Sequence, residues 1–315
     1  MIIQVFCLFF VFLIGLAQSF DHPNAHLIND ASCGVLKPGQ RIHQGRNANL
    51  GEFPWMVYII TTKEYPDFQT RHLTCGGSIL NSKYVLSASH CFVDENAIRM
   101  SSILFIGDYN TKTDPDCVND FCAPHVVLHE PEEIINHPYY FTYMAGSDIT
   151  LVRVKGEIQF NEFVAPICLE DGLLLTHDYT GEEAHVAGWG TYDFADINRT
   201  QLLYPDILQT LSVPIIDDNS CLDTMRRLAY DYQQHHVIES QVCAGGIPEY
   251  FAYMGDSGGP LMVVKQMDPE QPPRFYQIGV VSWGGLTVNV TSFESPTVYT
   301  RVRYYLPWIL DNMRP

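Results

Sequence analysis

Apolar residues in this chain fall in short runs. Trp55–Ile60 (WMVYII), Gly76–Leu80 (GGSIL), Tyr84–Ser89 (YVLSAS), Ile149–Val154 (ITLVRV), Ala184–Gly190 (AHVAGWG), Gln277–Gly285 (QIGVVSWGG) and Thr297–Val302 (TVYTRV) are the clearest. Gly, Pro, Asn and Asp separate them. Short runs rich in β-branched and aromatic residues, with turn residues between, predict many short strands and an all-β sandwich or barrel. Two stretches depart from this pattern. In Val302–Met313, Tyr304, Tyr305, Trp308 and Ile309 recur at helical spacing, which predicts a terminal helix with Pro307 in its first turn. Asp218–Tyr230 (DNSCLDTMRRLAY) predicts a second helix, with Asp217, Asp218 or Asn219 as its cap. There is no internal repeat and no linker rich in Pro, Gly and Ser.

Composition narrows the class. The 315 residues suffice for one large or two small cores, and 46% apolar with 17% charged residues excludes a disordered chain. A formal net charge of −18 argues against nucleic acid or an anionic membrane as partner, since both demand clustered Lys and Arg. Residues 1–19 are an apolar run ending in Ala17-Gln18-Ser19, which predicts a signal peptide cleaved after Ser19 and a secreted, extracellular protein. No later segment is apolar for long enough to span a bilayer. Residues 20–41 are too short to own a core and read as an extension ahead of one domain, 42–315.

Of nine cysteines, Cys7 leaves with the signal peptide. The other eight (Cys33, Cys75, Cys91, Cys117, Cys122, Cys168, Cys221 and Cys243) are an even set in an oxidising compartment, so disulfides are expected. No CxxC pair occurs, which disfavours zinc, and His125 and His129 read as surface and packing positions. No metal or cofactor is expected. Asn198-Arg199-Thr200 and Asn289-Val290-Thr291 are glycan acceptor tripeptides.

The chemistry sits in Glu249–Leu261, EYFAYMGDSGGPL. Acyl transfer by serine needs an exposed hydroxyl, a base within reach and a buried acid that holds the base in its useful tautomer. Gly258 and Gly259 beside Ser257 leave room for a substrate backbone. The N–H groups of Gly255 and Ser257 can form an oxyanion hole. His90, in SASHC, ends one apolar strand beside Cys91, and Asp148, in SDITLVRV, begins another. Each alone is weak; together, in the order His, Asp, Ser, they point to one kind of enzyme.

From RIHQG at Arg41 to YLPWI, the chain resembles the chymotrypsin/trypsin family of serine endopeptidases. The landmarks GEFPWMV, CGGSIL, SASHC, DITLVRV, VAPICL, AGWG, CAGG, GDSGGPL, VVSWGG and VYTRV occur in family order. The resemblance implies two antiparallel six-stranded β-barrels with a C-terminal helix and the active site in the crevice between them. It also implies a zymogen cut between Arg41 and Ile42, whose new amino group pairs with Asp256. His43 departs from the usual small aliphatic residue there. The loop Gly107–Val127 is similar to one that carries an extra cysteine pair in insect clip-type proteases. With Cys7 removed in the signal peptide, only Cys33 precedes Arg41, so no clip domain is expected. The implied disulfides are Cys33–Cys168, Cys75–Cys91, Cys117–Cys122 and Cys221–Cys243. Some relatives hold calcium after IGDYN, where Asp108 aligns with a ligand; without a partner carboxylate it reads as a surface acid.

The substrate pocket departs from the family pattern. Phe251 stands where a tryptic enzyme has its carboxylate, followed by Ala252, and Thr297 stands where an open pocket has glycine. Tyr253 replaces a cysteine whose usual partner after Trp283 is absent too, and Ala184 replaces another cysteine. A buried substrate cation without a partner is prohibitive, so cleavage after Lys or Arg is not expected. The pocket is either shallow and selective for small or medium apolar residues, remodelled, or blocked. Ser282, Trp283 and Gly284 form the segment that pairs with substrate backbone in the family. The expected partners are a protein or peptide substrate, an activating protease and a protein inhibitor. The rival reading is a non-catalytic homologue that acts as a cofactor in a proteolytic cascade. An acidic module for a cationic partner rests on net charge alone.

Overall fold

The computed structural model describes residues 21–36, 45–141, 146–191, 193–194, 202–228, 239–246, 256–284 and 296–315. The first half contains β1 (Arg46–Asn47), β2 (Met56–Glu64), β3 (Thr70–Ile79), β4 (Tyr84–Ser87) and β5 (Arg99–Ile106). A hairpin, β6 (Cys117–Val118) and β7 (Phe121–Cys122), precedes β8 (Val127–His129), β9 (Pro131–Asn136) and β10 (Thr150–Val154). The second half contains β11 (Cys168–Leu169), β12 (Glu183–Gly188), β13 (Asp193–Phe194), β14 (Leu202–Leu203) and β15 (Gln209–Ile216). Helix α1 (Asp218–Leu228) then leads to β16 (Gln241–Gly245), β17 (Pro260–Lys265), β18 (Arg274–Gly284), β19 (Pro296–Arg301) and α2 (Val302–Asp311).

These strands form two barrels. In the second, β15, β12, β17, β18, β19 and β16 follow one another, and β16 pairs back with β15, closing six strands. In the first, the order is β8, β5, β2, β3, β4, β10, β9. Only Glu130 separates β8 from β9, so these two act as one bent strand that nearly closes the ring. Closure explains the alternation in β2, where every second residue is buried, and the burial of all five residues of β10. Phe53 packs edge to face against both Trp55 and Phe275 where the barrels meet, and Trp55 Nε1 lies 3.1 Å from Met262 Sδ. Ser78 Oγ donates to Gln277 Oε1 (2.6 Å) across the same seam.

Helix α1 begins where Asp217 Oδ1 accepts the N–H of Ser220 at 3.0 Å, so Asp217 is the cap among the three candidates. Helix α2 differs from expectation. It starts at Val302, directly after β19, so Pro307 lies in its interior and not its first turn. Apolar packing decides this: Val302, Tyr305, Leu306, Ile309 and Leu310 are all buried, which outweighs one missing backbone hydrogen bond.

All four disulfides implied by the resemblance are present: Cys33–Cys168, Cys75–Cys91, Cys117–Cys122 and Cys221–Cys243. The extension is held by more than its cysteine. Asn29 Nδ2 donates to Leu169 O while Leu169 N donates to Asn29 Oδ1, and Asn24 Nδ2 reaches Leu310 O and Met313 O. Ile28 enters the main core. Among the described residues no helix is long and apolar enough to cross a membrane.

Candidate active site

His90 sits in a single helical turn, Ser89–Cys91, just past β4. The Cys75–Cys91 disulfide ties that turn to β3. Asp148 precedes β10, fully buried, and grips His90 twice. Its Oδ2 lies 2.8 Å from His90 Nδ1, and its Oδ1 accepts the His90 backbone N–H at 3.0 Å. A carboxylate on Nδ1 keeps the proton there and leaves Nε2 free to act as a base. Burial strengthens the contact because little water competes for it.

Asp148 is itself held from the second barrel. Ser282 Oγ donates to Asp148 Oδ2 at 2.5 Å, and Thr300 Oγ1 donates to the Asp148 carbonyl at 2.8 Å. Sequence reasoning assigned Ser282 to the substrate pocket and did not single out Thr300. Ser89, which donates to Ile149 O at 2.7 Å, was missed as well. The available signal was a hydroxyl inside an apolar run, since buried hydroxyls are nearly always bonded.

Ser257 is half-buried in the turn before β17, pressed against the loop that carries His90. Gly76 donates its N–H to Ser257 O at 2.7 Å, and Cys91 Sγ lies 3.8 Å from the same oxygen. Among the described residues no hydrogen bond joins the Ser257 hydroxyl to His90. Unliganded sites often leave this link unmade until substrate arrives. The glycines after Ser257 serve differently from expectation. Gly258 has φ +81°, and a Cβ there would collide with Ser87 Oγ and lie 2.5 Å from Gly76 O. A Cβ on Gly259 would lie 2.8 Å from Asp256 O. The space a side chain would take is already filled by the Ser87 hydroxyl and by the Gly76 and Asp256 carbonyls.

Asp256 points the other way, over the Gly188-Trp189-Gly190 turn. Its Oδ1 accepts the Gly190 N–H at 2.8 Å, and a methyl group on either Gly188 or Gly190 would overlap its carboxylate. Thr297 is buried on β19 directly opposite Gly284 of β18, and a Cβ on Gly284 would sit 3.6 Å from Thr297 Oγ1. The threonine hydroxyl therefore faces Gly284. Arg41, Ile42, His43, Asn198, Phe251, Ala252, Tyr253, Gly255, Asn289 and residues 1–19 lie outside the described residues.

Among the described residues at this site, one group of side chains lies close enough to offer metal ligands, and it is already engaged. Cys75, His90 and Cys91 lie close together, but the cysteines are bonded to each other and His90 is engaged by Asp148. Asp108 is not the surface acid it was expected to be. Its Oδ1 is buried without a hydrogen-bond partner, and burial, with Asp116 and Asp114 adding repulsion, pushes its pKa up to about 6. Folding of the 107–126 loop brings these carboxylates together. His125 is exposed beside Asp114 and His129 contacts Lys155 O, in line with surface and packing positions.

One closed and one nearly closed six-stranded barrel, with buried Asp148 gripping a half-buried His90 at their junction, define the chymotrypsin-like class of fold. The family model described as Trypsin matches residues 42–309, so the chain belongs to the trypsin family of serine proteases. It is similar to Serine protease 7 of Drosophila melanogaster, at 34% identity over 90% of this chain and 68% of that protein. It is also similar to Spaetzle-processing enzyme of Drosophila melanogaster (33%, covering 90% and 68%) and to CLIP domain-containing serine protease B9 of Anopheles gambiae (32%, covering 90% and 65%). The chain thus spans about two thirds of the length of these curated relatives. The crystal structure of the drosophila Grass clip serine protease of the Toll pathway superposes with a TM-score of 0.69 at 29% identity, over 89% of this chain and 74% of that one.

Proposed function

We propose that this chain is a secreted serine endopeptidase, made as a zymogen, cut between Arg41 and Ile42, with non-tryptic specificity. The observation that carries the reading is the two-point grip of buried Asp148 on His90. Ser257 Oγ attacks the scissile carbonyl carbon while its proton passes to His90 Nε2. Asp148 stabilises the imidazolium that forms and remains ionised. The backbone N–H groups of Gly255 and Ser257 receive the negative oxygen. His90 then protonates the departing amine, which leaves an ester on Ser257. A water molecule, deprotonated by His90, hydrolyses that ester and returns the enzyme.

The buried hydroxyl of Thr297 beside Gly284 supports a narrowed pocket and a small or medium apolar residue before the cut bond. Relatives named for spaetzle processing and phenoloxidase activation support a protein substrate and an upstream activating protease. A protein inhibitor is the third expected partner. The rival reading, a non-catalytic cofactor, draws on the same filled pocket wall. A fluorophosphonate probe separates the two, because it reports an activated serine whatever the specificity. Labelling that requires cleavage at Arg41-Ile42 and disappears in Ser257→Ala supports the enzyme. A folded, cleaved protein that does not label is the cofactor.

A further inference from the structure

The segment that carries the acid of this site has a third tether, and it comes from the terminal helix α2, from a residue with no hydrogen bond to His90. Tyr305 lies in the second turn of α2 and is 4% exposed. Its hydroxyl oxygen accepts the backbone N–H of Ser147 at 2.9 Å, and the same hydroxyl lies 3.2 Å from Ser147 Oγ. Ser147 immediately precedes Asp148 and has φ +56°, a conformation that a serine adopts only when its surroundings impose it. That backbone twist turns the next residue inward. Ile149 N–H then donates to Ser147 O at 2.9 Å, closing a tight turn around Asp148.

The ring of Tyr305 is fixed as firmly as its hydroxyl. It packs edge to face against His137, with centroids 5.1 Å apart, and Trp308 of the same helix covers His137 at 5.0 Å. His137 N–H donates to Ile149 O at 3.1 Å, so the aromatic cluster reaches the far side of the same turn. One contact from α2 and one from His137, whose ring α2 covers, therefore converge on one three-residue segment. Ser282 and Thr300 hold the carboxylate and the carbonyl of Asp148, and Tyr305 holds the amide that precedes it. A phenol on a packed helix is a suitable anchor because its oxygen has no rotational freedom beyond that of the ring.

We infer that Tyr305 is a positioning residue for the catalytic acid: by holding Ser147 in its left-handed conformation, it sets the direction of the Asp148 carboxylate and thereby of His90. The inference rests on the proteolytic reading for its kinetic readout, but its structural readout does not. Removing the hydroxyl leaves the Ser147 N–H without a partner and frees the turn to relax. Asp148 then spends part of its time out of line with His90 Nδ1.

The test uses the full chain cleaved at Arg41-Ile42. Tyr305→Phe keeps the ring and its packing; Tyr304→Phe, on the exposed neighbour, is the control. The expected result is fluorophosphonate labelling of Ser257 slowed about tenfold in Tyr305→Phe, the effect of one neutral hydrogen bond. Peptide hydrolysis should lose kcat with KM unchanged, and Tyr304→Phe should match the parent. The far-downfield proton resonance of His90 Nδ1–H should broaden in Tyr305→Phe only. Ser147→Gly keeps the N–H donor and accepts the positive φ, so it should label at the parental rate, which separates the amide contact from the serine hydroxyl. Parental labelling and an unchanged His90 resonance in folded Tyr305→Phe overturn the inference. If the parent itself does not label, the proteolytic reading fails, and the His90 resonance still decides the role of Tyr305. If Tyr305→Phe does not fold, a slow-labelling Ser147→Pro, which removes the donor and forbids the positive φ, supports the inference, and parental labelling in it refutes it.

Discussion

Gly190 donates its backbone N–H to the Oδ1 of Asp256, 2.8 Å away, and neither Gly190 nor Gly188 has room for a methyl group beneath that carboxylate. The residue before Ser257 is thus seated on the AGWG turn of the second barrel. Gly190→Ala should unseat Asp256 and misalign the Ser257 turn. Fluorophosphonate labelling of the cleaved variant should fall by about two orders of magnitude, the usual scale for losing an oxyanion donor. The melting temperature should fall as well, so labelling is to be compared at a temperature where both proteins are folded. Parental labelling in Gly190→Ala would show that the Asp256 seat is dispensable.

Asp148→Asn replaces the acceptor at His90 Nδ1 with an amide that can donate there instead. His90 then carries its proton on the wrong nitrogen, and kcat should fall by about four orders of magnitude with little change in KM. Stability should change less than activity, because the amide can still bond Ser282 Oγ. Steady-state kinetics on a peptide substrate, with thermal melts alongside, test this. A loss of only severalfold would contradict the assigned role of Asp148.

Two buried acids make stability depend on pH in the same direction. Burial pushes Glu170, which lies 3.6 Å from Arg303, up to about 8, and Asp108 up to about 6. A carboxyl whose folded pKa is raised stabilises the fold fully below its unfolded pKa. That contribution is lost as pH rises through the folded value. The window runs from about pH 4 to 6 for Asp108 and from about 4.5 to 8 for Glu170. Glu170→Gln should therefore raise the melting temperature above that of the parent at pH 8.5, with the advantage shrinking toward pH 5. Its limiting slope is about 1.4 kcal/mol per pH unit, the value for one linked proton. Asp108→Asn should show the same trend over the lower window. An advantage that grows on acidification would refute both assignments. Glu182, drawn down by Lys265 and His177 against the opposing effect of burial, works in the opposite sense at lower pH.

The Cys33–Cys168 disulfide joins the extension to the body of the domain. After cleavage at Arg41-Ile42, the two pieces should run as one species on a non-reducing gel and as two after reduction. A piece shed without reductant would place the cut elsewhere.

Thr297→Gly should enlarge the pocket beside Gly284. Peptide-library profiling should then move toward larger aromatic residues before the cut bond, with weaker use of small ones. An unchanged profile would mean that Thr297 does not bound the pocket.

Much of the fold was legible in short strings. The strand runs from Trp55 to Val302 are strands in the structure, because an alternating or wholly apolar run of that length has few other ways to bury its side chains. The terminal helix was legible from Tyr304, Tyr305, Trp308 and Ile309, but Pro307 misled the reading of its start, since local sterics favour a first-turn proline and packing overruled them. Gly258 was misread for a related reason. From sequence a glycine beside a nucleophile suggests access, whereas here it admits Gly76 and Ser87 from the other barrel. Asp108 was misread because nothing local announces that Asp114 and Asp116 will fold back upon it.

The sequence by itself determined which residue types were available and their order: a serine in GDSGGP, a histidine in SASHC, an aspartate in SDITLVRV, and enough short apolar runs for two barrels. These are local properties, set by side-chain chemistry and by the period of the strand. Tertiary structure alone decided what holds them. His90 and Asp148 are separated by 58 positions and meet at 2.8 Å, and the groups that fix Asp148 (Ser282, Thr300, and Tyr305 through Ser147) come from 134 to 158 positions away. Hydrogen bonds between residues so distant leave no periodic trace in the chain. Pairing of β4 with β10 inside the first barrel creates the His90–Asp148 bond, and packing β18, β19 and α2 against that barrel creates the others.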